Sequence, residues 1–458
     1  MSAACDQTVS DPNPSATPNS IANMLRRFLG SAFAAQLGLR FFGIPVSLAT
    51  TLLLSHTLGP AQFGSYAYVV AWSGMLAVAA ALGFDGFLVR EISAARALQD
   101  WGLLRGLVSG SARIVLLTSL AICALGGGVV LWLLLINGNS ELAIQVLFGF
   151  VLVPVVAMRQ ICRSSMQGLL QPLRGFVPEL LVQPLAMLLL SAIAAIVTHG
   201  HLSSLYAVIL QVTAGILALL VGRLLLKSSL PREIDSAPKR TEYRRWMRSA
   251  SPFLLCQMIY LANEKLSMLT LGMTADFRDV GVFALSSSLA MLVWLPLTTM
   301  DAVISGRIAH LHAIGDKAEL QKQLTVAVRV CVLVTVPVVL IEVFCGDRLL
   351  GLFREDFSSG YTVLRILALG QFFNVASGSV GSVMTMSGHT RDAVMAAAVS
   401  TGIGLACCVL LIPPFGAVGA AIAQSAGVIA YNALLVVKVR QHLGIDPTIL
   451  AVLRRTTT

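Results

Sequence analysis

The chain has 458 residues, 56% of them hydrophobic and 12% charged, with a mean hydropathy of +0.82 and a net charge of +10. Soluble domains carry about 25% charged residues, so this composition excludes a water-soluble globular protein. Apolar runs of roughly 20 residues recur from Phe33 to Val439 and rarely alternate, which excludes an outer-membrane barrel and predicts an all-α polytopic membrane protein.

Residues 1–25 hold Asp6, Asp11, Pro12, Pro14 and Pro18 among Ser, Thr and Asn; they read as a disordered tail without the basic n-region of a cleavable signal. The first span, near 33–57, carries Gln36 and Arg40. It ends at Leu58-Gly59-Pro60-Ala61-Gln62-Phe63-Gly64-Ser65-Tyr66, where a Gly-Pro break precedes the small and aromatic residues that open the second span, near 65–84. Leu82-Gly83-Phe84 and Leu88-Val89-Arg90-Glu91 follow, and Asp85 with Arg90 is expected to fix this turn. Spans three to six lie near 108–136, 141–161, 176–198 and 203–226. His199 and His201 stand on a short connection with no further ligands, so no metal site is expected.

Residues 228–249 form the longest basic connection and divide the chain into an N-terminal lobe over 26–227 and a C-terminal lobe over 250–440, followed by a tail over 441–458. The second half offers spans near 250–272, 281–305, 323–345, 361–387, 392–413 and 417–438. Leu271-Gly272 followed by Val280-Gly281-Val282-Phe283-Ala284 is a degraded copy of the first break, and Met386-Ser387-Gly388 before Arg391 echoes Met166-Gln167-Gly168 before Arg174. Echoes in matching order, with six spans per half, predict two related lobes with a site between them. Pro45, Pro154, Pro184, Pro296 and Pro337 fall inside spans, where each can kink its helix.

Lys and Arg concentrate on one set of connections: Arg26 and Arg27; Arg90, Arg96 and Arg105; Arg159, Arg163 and Arg174; Lys227 to Arg248; Arg307 to Lys322; Arg391; and Lys438 to Arg455. The opposite set holds only Arg278, Arg348 and Arg354, each beside acidic residues. This asymmetry predicts an even number of spans with both termini cytoplasmic. The net charge is thus topological, and nucleic acid is not an expected partner. Cys123, Cys162, Cys256, Cys331, Cys407 and Cys408 show no ligand spacing and read as small apolar fillers, so no cofactor is expected. The longest opposite-side connection, near Cys345 to Tyr361, has no room for a catalytic domain, which argues for moving a substrate rather than making one.

The break at Leu58-Gly59-Pro60 with Phe63-Gly64-Ser65-Tyr66 resembles the hallmark of polysaccharide-biosynthesis membrane proteins, the Wzx-type oligosaccharide-lipid flippases of the superfamily that contains the MATE exporters. Leu82-Gly83-Phe84, Leu88-Val89-Arg90-Glu91, Glu264-Lys265-Leu266 and the last hairpin, Pro413-Pro414-Phe415-Gly416-Ala417-Val418-Gly419, are similar to further family segments, with Glu264 where the family more often has Asp. The resemblance implies a V-shaped, two-lobed, MATE-like transporter, not an enzyme. It would turn lipid-diphosphate-linked glycans from the cytoplasmic to the periplasmic leaflet of the inner membrane. The implied partners are the lipid-linked oligosaccharide, the bilayer, and a polysaccharide polymerase with its export machinery.

Charged side chains at the bilayer centre cost about 2.5–3.5 kcal/mol on insertion scales, so each invites a reason. By resemblance spans one and seven line the central cavity, where Arg40 and Lys265 would hold the diphosphate; Arg40 could instead snorkel to the headgroups. Gln36 and Asn263 are candidate glycan contacts. Glu264 is a candidate for ion or proton coupling, or for pairing within its lobe. Being adjacent on a helix, Glu264 and Lys265 point about 100° apart and are not expected to pair with each other. Asp301 and Glu342 are further coupling candidates, unless Arg329 and Arg365 neutralise them. The alternatives are a MATE-like exporter, against which span one offers a cation and no carboxylate, and a membrane glycosyltransferase or polymerase.

Overall fold

The computed structural model describes residues 31–137, 141–200, 202–234 and 237–449; the side chains of residues 31–37, 40, 41, 133, 137, 232, 302 and 303 lie outside the description. The expected tail over 1–25, the end of the tail over 441–458, and His201 fall outside the described residues.

The helices are α1 Ser31–Ala81, α2 Phe84–Ala97, α3 Trp101–Asn137, α4 Glu141–Phe150, α5 Leu152–Gly168, α6 Pro172–Val177, α7 Gln183–Val197, α8 Ser204–Ser229, α9 Tyr243–Thr274, α10 Phe277–Ala313, α11 Lys317–Gly351, α12 Tyr361–Ser377, α13 Val380–Met386 and α14 Thr390–Leu443. No strand occurs among the described residues. Eight helices are long and apolar enough to cross a bilayer, or nine if the bent pair spanning Glu355–Ser377 and Val380–Met386 is one span. Two of these eight, α1 and α14, are each a pair of spans joined at a glycine. Counting both pairs as two spans each, the bent pair as one, and adding α9, whose charges lower its hydropathy, gives the expected twelve.

The doubled helices show what the Gly-Pro breaks are for. Gly59 (φ 69°, ψ 172°) and Gly416 (φ 53°, ψ −128°) take backbone conformations that a Cβ disfavours, and the chain reverses at each. After the reversal in α14, Gly427 stands 3.7 Å from the Ser400 carbonyl, measured from the Cβ position, so the two arms run antiparallel in contact. The residues after Gly59 then fasten the turn. Gln62 accepts the Ser204 N–H at 3.1 Å at the start of α8, and the Tyr66 hydroxyl donates to Gln211 of the same helix at 3.1 Å.

The repeated glycines meet. A Cβ on Gly64 would collide with the Phe277 carbonyl, and one on Gly281 with the Pro60 carbonyl, so the two copies of the signature touch backbone to backbone. Around them Phe63 packs edge-on against Phe357 (centroids 6.0 Å, 85°) and Tyr68 against Phe277 (5.6 Å). Arg354 donates to the His56 carbonyl at 3.4 Å while pairing with Asp356 at 2.9 Å. The lobes are therefore joined at the end of the molecule opposite the basic connections.

At the basic end the inter-lobe connection is strapped onto the N-terminal lobe. Arg240 donates its backbone N–H to Gly102 at 3.2 Å and pairs with Asp100 at 3.0 Å, and Arg105 donates to the Ala237 carbonyl at 2.9 Å. Trp246 and Ala250, on the first turns of α9, are buried in the same apolar cluster as Phe84, Phe87 and Leu104. Beyond α14, the chain is held by Gln321, whose amide donates to the Asp446 carbonyl and accepts its N–H, each at 2.6 Å.

Gly64→Ala should lower the melting temperature of the detergent-solubilised protein by several degrees, as overpacking costs about 1–3 kcal/mol. Gly74→Ala, whose Cβ would meet nothing within 4 Å, should raise it slightly. Equal melting temperatures for the two variants would remove the closed end from the account. A second expectation concerns acid. Burial alone would push the Asp446 carboxyl up, but the Thr448 hydroxyl and N–H and the Arg440 guanidinium outweigh it and hold it below the usual carboxylate range. The clasp contributes stability above the ordinary pKa and loses it as the pH falls through the lowered one. Protection of the Thr448 amide from hydrogen exchange should therefore persist at about pH 5 and fade below about pH 4.

Candidate functional site

Helix α9 is where the expected site residues gather, and its two halves belong to different lobes. Near its start, Gly83 and Gly86 of the N-terminal lobe let α9 come close at Ala250, Leu254 and Phe253, and Arg90 lies over the Phe253 ring at 5.7 Å. One turn on, Gln257 donates to Asp85 at 2.6 Å. Asp85 and Arg90 were expected to fix their own turn. Instead, Asp85 is bonded across to α9 and Arg90 pairs with its neighbour Glu91 at 2.9 Å. Long side chains reach further than chain adjacency suggests.

Past Gln257 the helix turns its polar groups to α14. The Asn263 amide donates to the Ala397 carbonyl at 3.1 Å and to the Thr401 hydroxyl, and its oxygen accepts from Ser400 at 3.1 Å. Ser267 lies 3.5 Å from Cys408 on the same face. Asn263 thus has both ends of its amide engaged between two helices, an arrangement that joins membrane helices. Beside it lies a crevice of about 10 Å³ lined by Ser267, Thr401 and Gln424, room for one water. The Gln424 side-chain oxygen there has no hydrogen-bond partner among the described residues.

Glu264 and Lys265 do pair, at 2.7 Å, against the expectation from helical spacing. The four-carbon lysine stem swings its ammonium back around the helix. The Cβ directions set by the helix constrain short side chains more than long ones. Both groups remain about one-third to one-half exposed, at 35% for Lys265 and 45% for Glu264.

The other candidates are scattered. Gln36 and Arg40 lie in α1, with their side chains outside the description. Asp301, near the Ser379 and Ser382 hydroxyls of the α13 region, has one carboxylate oxygen without a partner among the described residues. Glu342 is buried in α11, and neither of its oxygens has a hydrogen-bond partner among the described residues. The expected neutralising arginines are elsewhere: Arg329 is exposed and Arg365 lies over the Tyr361 ring at 5.2 Å.

One cluster was not expected. Arg159 and Arg163, counted above with the basic connections, lie inside α5, with Arg159 9% exposed. Arg159 donates to Gln183, and Arg163 pairs with Glu179 at 2.6 Å while lying over the Phe176 ring at 5.9 Å. Their partners sit on a π-helical turn at Pro178–Val182 and the start of α7. Pro184 cannot donate the bond that would close a regular turn there. The Cβ position of Gly43 in α1 lies 2.5 Å from the Leu180 carbonyl of that turn. The signal was available: two arginines at i, i+4 in one span face a Glu and a Gln at i, i+4 in the next.

Comparison with solved structures fits this architecture. An inward-facing multidrug resistance MATE family transporter of the MOP superfamily superposes with a TM-score of 0.71 at 14% identity, over 90% of this chain and 98% of that one. The lipid II flippase MurJ, in an inward closed conformation, gives 0.68 at 14% identity, over 88% and 86%. A MOP superfamily transporter from Pyrococcus furiosus gives 0.62 at 13% identity, over 91% and 95%. At these identities the likeness is one of fold, and the fold is MATE-like, in a multi-pass membrane protein. No curated protein matches the chain in sequence. A MatE family model matches residues 252–410. The model described as "Polysaccharide biosynthesis protein" matches residues 35–304, more than half of the chain, and the protein belongs to that family.

Proposed function

We propose that the protein flips a polyprenyl-diphosphate-linked oligosaccharide across the inner membrane by alternating access, for the assembly of an exopolysaccharide, capsule or O-antigen. The observation that carries this reading is family membership across residues 35–304, which takes in spans one to eight. In this reading the lobes are residues 26–227 and 250–440 and both termini are cytoplasmic, which the Lys and Arg asymmetry supports.

Arg40 and Lys265 hold the diphosphate in this reading. Lys265 is half-open and can exchange Glu264 for a phosphate oxygen without being newly desolvated. Gln36 meets the glycan. Asn263 meets it only if its bonds to α14 open. Asp301 and Glu342, with unpartnered oxygens, join Glu264 as the groups through which an ion or proton drives the cycle. No covalent bond is made or broken, so the protein is not an enzyme. It hands its cargo to a polysaccharide polymerase and export machinery.

A second reading, export of small molecules, is favoured by the MATE structural likeness. Against it stands the cationic interior of the N-terminal lobe, where Arg159 has a neutral partner. The neighbour from Pyrococcus furiosus is itself described as having a binding pocket of reversed polarity that suggests a different function. A third reading, a glycosyltransferase or polymerase, requires purified protein to incorporate labelled sugar from a lipid-linked donor.

In vesicles reconstituted with fluorescent lipid-linked glycan, Arg40→Ala and Lys265→Ala should each slow translocation roughly tenfold, as expected for losing one charge-assisted contact. Normal translocation by both variants at wild-type abundance would reject the basic cavity. Glu342→Gln should leave glycan binding intact and reduce the response of translocation to an imposed proton gradient; an unchanged response would remove Glu342 from coupling.

A further inference from the structure

The geometry points to a phosphate-binding site on the N-terminal lobe, between α5 and the π-helical turn, where Arg159 and Arg163 receive the phosphate of a lipid headgroup. The inference rests on the flippase reading and adds the residues that first engage the cargo.

The site is a ladder of two rungs. Arg159 with Gln183 forms the inner rung, and Arg163 with Glu179 the outer one. Two guanidinium groups thus face a single carboxylate, leaving one positive charge without an anion. Arg223, close enough to act on the neighbouring Cys162, adds to that surplus. Arg159 is more than nine-tenths buried, and its Nε has no partner among the described residues. A buried guanidinium that must share its one nearby carboxylate, Glu179, with Arg163 is costly, and a phosphate, with several acceptor oxygens, is the chemistry that relieves it.

Access and depth fit as well. Arg163 and Glu179 are 22% and 36% exposed, so the outer rung is open. An ion pair facing hydrocarbon there would be strongly disfavoured, so the opening faces headgroups or water. Arg163 stands five residues before the end of α5 at Gly168, about 7–8 Å along the axis, and Arg159 one turn deeper. That is headgroup depth on the basic face. The contact between Gly43 and Leu180 puts the ladder against α1, one turn from the position of Arg40. A phosphate entering at the outer rung displaces Glu179 from Arg163 and reaches the unpartnered Nε edge of Arg159.

The test titrates farnesyl diphosphate onto the full-length protein in phosphatidylcholine nanodiscs and reads affinity by native mass spectrometry. Arg159→Gln and Arg163→Gln should weaken binding about tenfold or more, and Glu179→Gln, by freeing Arg163, should tighten it about threefold. Tightening is the decisive sign, since a purely structural ladder would lose stability on losing Glu179 and gain no affinity. If Arg159→Gln fails to fold, Arg163→Gln and Glu179→Gln, both at the open rung, still decide. Affinities within twofold of wild type for those two variants overturn the site.

Two further arms identify the source of the phosphate. Inorganic pyrophosphate competing as well as the farnesyl ester shows that the headgroup alone is read. Phosphatidylglycerol nanodiscs that block the probe in wild type but not in Arg163→Gln show a resident lipid as occupant. Both outcomes support a phosphate site. Arginine-dependent affinity in a protein that moves no glycan would sustain the site and reject the flippase; normal flipping with arginine-independent affinity would do the reverse.

Discussion

The backbone contact of Gly64 with Gly281 is the constraint on which the arrangement of the lobes depends. Between helices in lipid there is little hydrophobic force to exploit, so association rests on how closely backbones approach. Here two glycines, each the same member of a repeated signature, approach until neither could carry a Cβ. The contact fixes α1 against α10 at one end. The aromatic pairs Phe63–Phe357 and Tyr68–Phe277 and the reach of Arg354 to the His56 carbonyl follow from that register. Any passage between the lobes in this conformation must open elsewhere. The repeat is thus a mechanical feature, since its two copies meet at the point where the lobes touch.

At the other end the joint is made by one helix. The first turns of α9 are buried among residues of the N-terminal lobe through Trp246 and Ala250, and Gln257 bonds to Asp85 there. Less than two turns later Asn263 is bonded on three sides to α14. A rigid rotation of the lobes about the glycine contact would pull these two sets of bonds in different directions. Either the Asp85–Gln257 bond breaks or α9 bends between Gln257 and Asn263. The second oxygen of Asp85 already lacks a partner among the described residues, so that carboxylate is the weaker anchor. The Glu264–Lys265 pair lies just past this division, where lobe motion would be felt most.

Much of the fold was legible because the bilayer imposes its own length. Runs of about 20 apolar residues mark spans whatever their neighbours, and the reversals at Gly59 and Gly416 announced themselves as Gly-Pro and Pro-Pro-x-Gly breaks. The site was less legible, for identifiable reasons. Counting arginines near span ends as topological signals hid Arg159 and Arg163, which serve inside the lobe. Helical-wheel geometry set Glu264 and Lys265 apart, and the flexibility of lysine brought them together. Asn263 looked like a free polar group in a span. Its partners Ala397, Ser400 and Thr401 lie more than 130 residues away on a small-residue face that only the tertiary structure identifies.

The two lobes differ in the charge they leave unsatisfied, and this bears on how a cycle could be driven. The N-terminal lobe buries a guanidinium, Arg159, opposite a neutral amide; the C-terminal lobe buries a carboxyl, Glu342, with no hydrogen-bond partner among the described residues, and an oxygen of Asp301 in the same state. Each is unfavourable alone in a medium that cannot screen it, and each is relieved by a ligand of opposite sign: an anion on one side, a proton or cation on the other. If both ligands bind in the same conformation, each lowers the cost of keeping the lobes in the geometry that the other requires. By linkage they then favour each other's binding with no direct contact between them. Coupling of this kind needs only that the glycine contact and the bonds of α9 make the lobes move together, so that neither charge can be satisfied by a local adjustment.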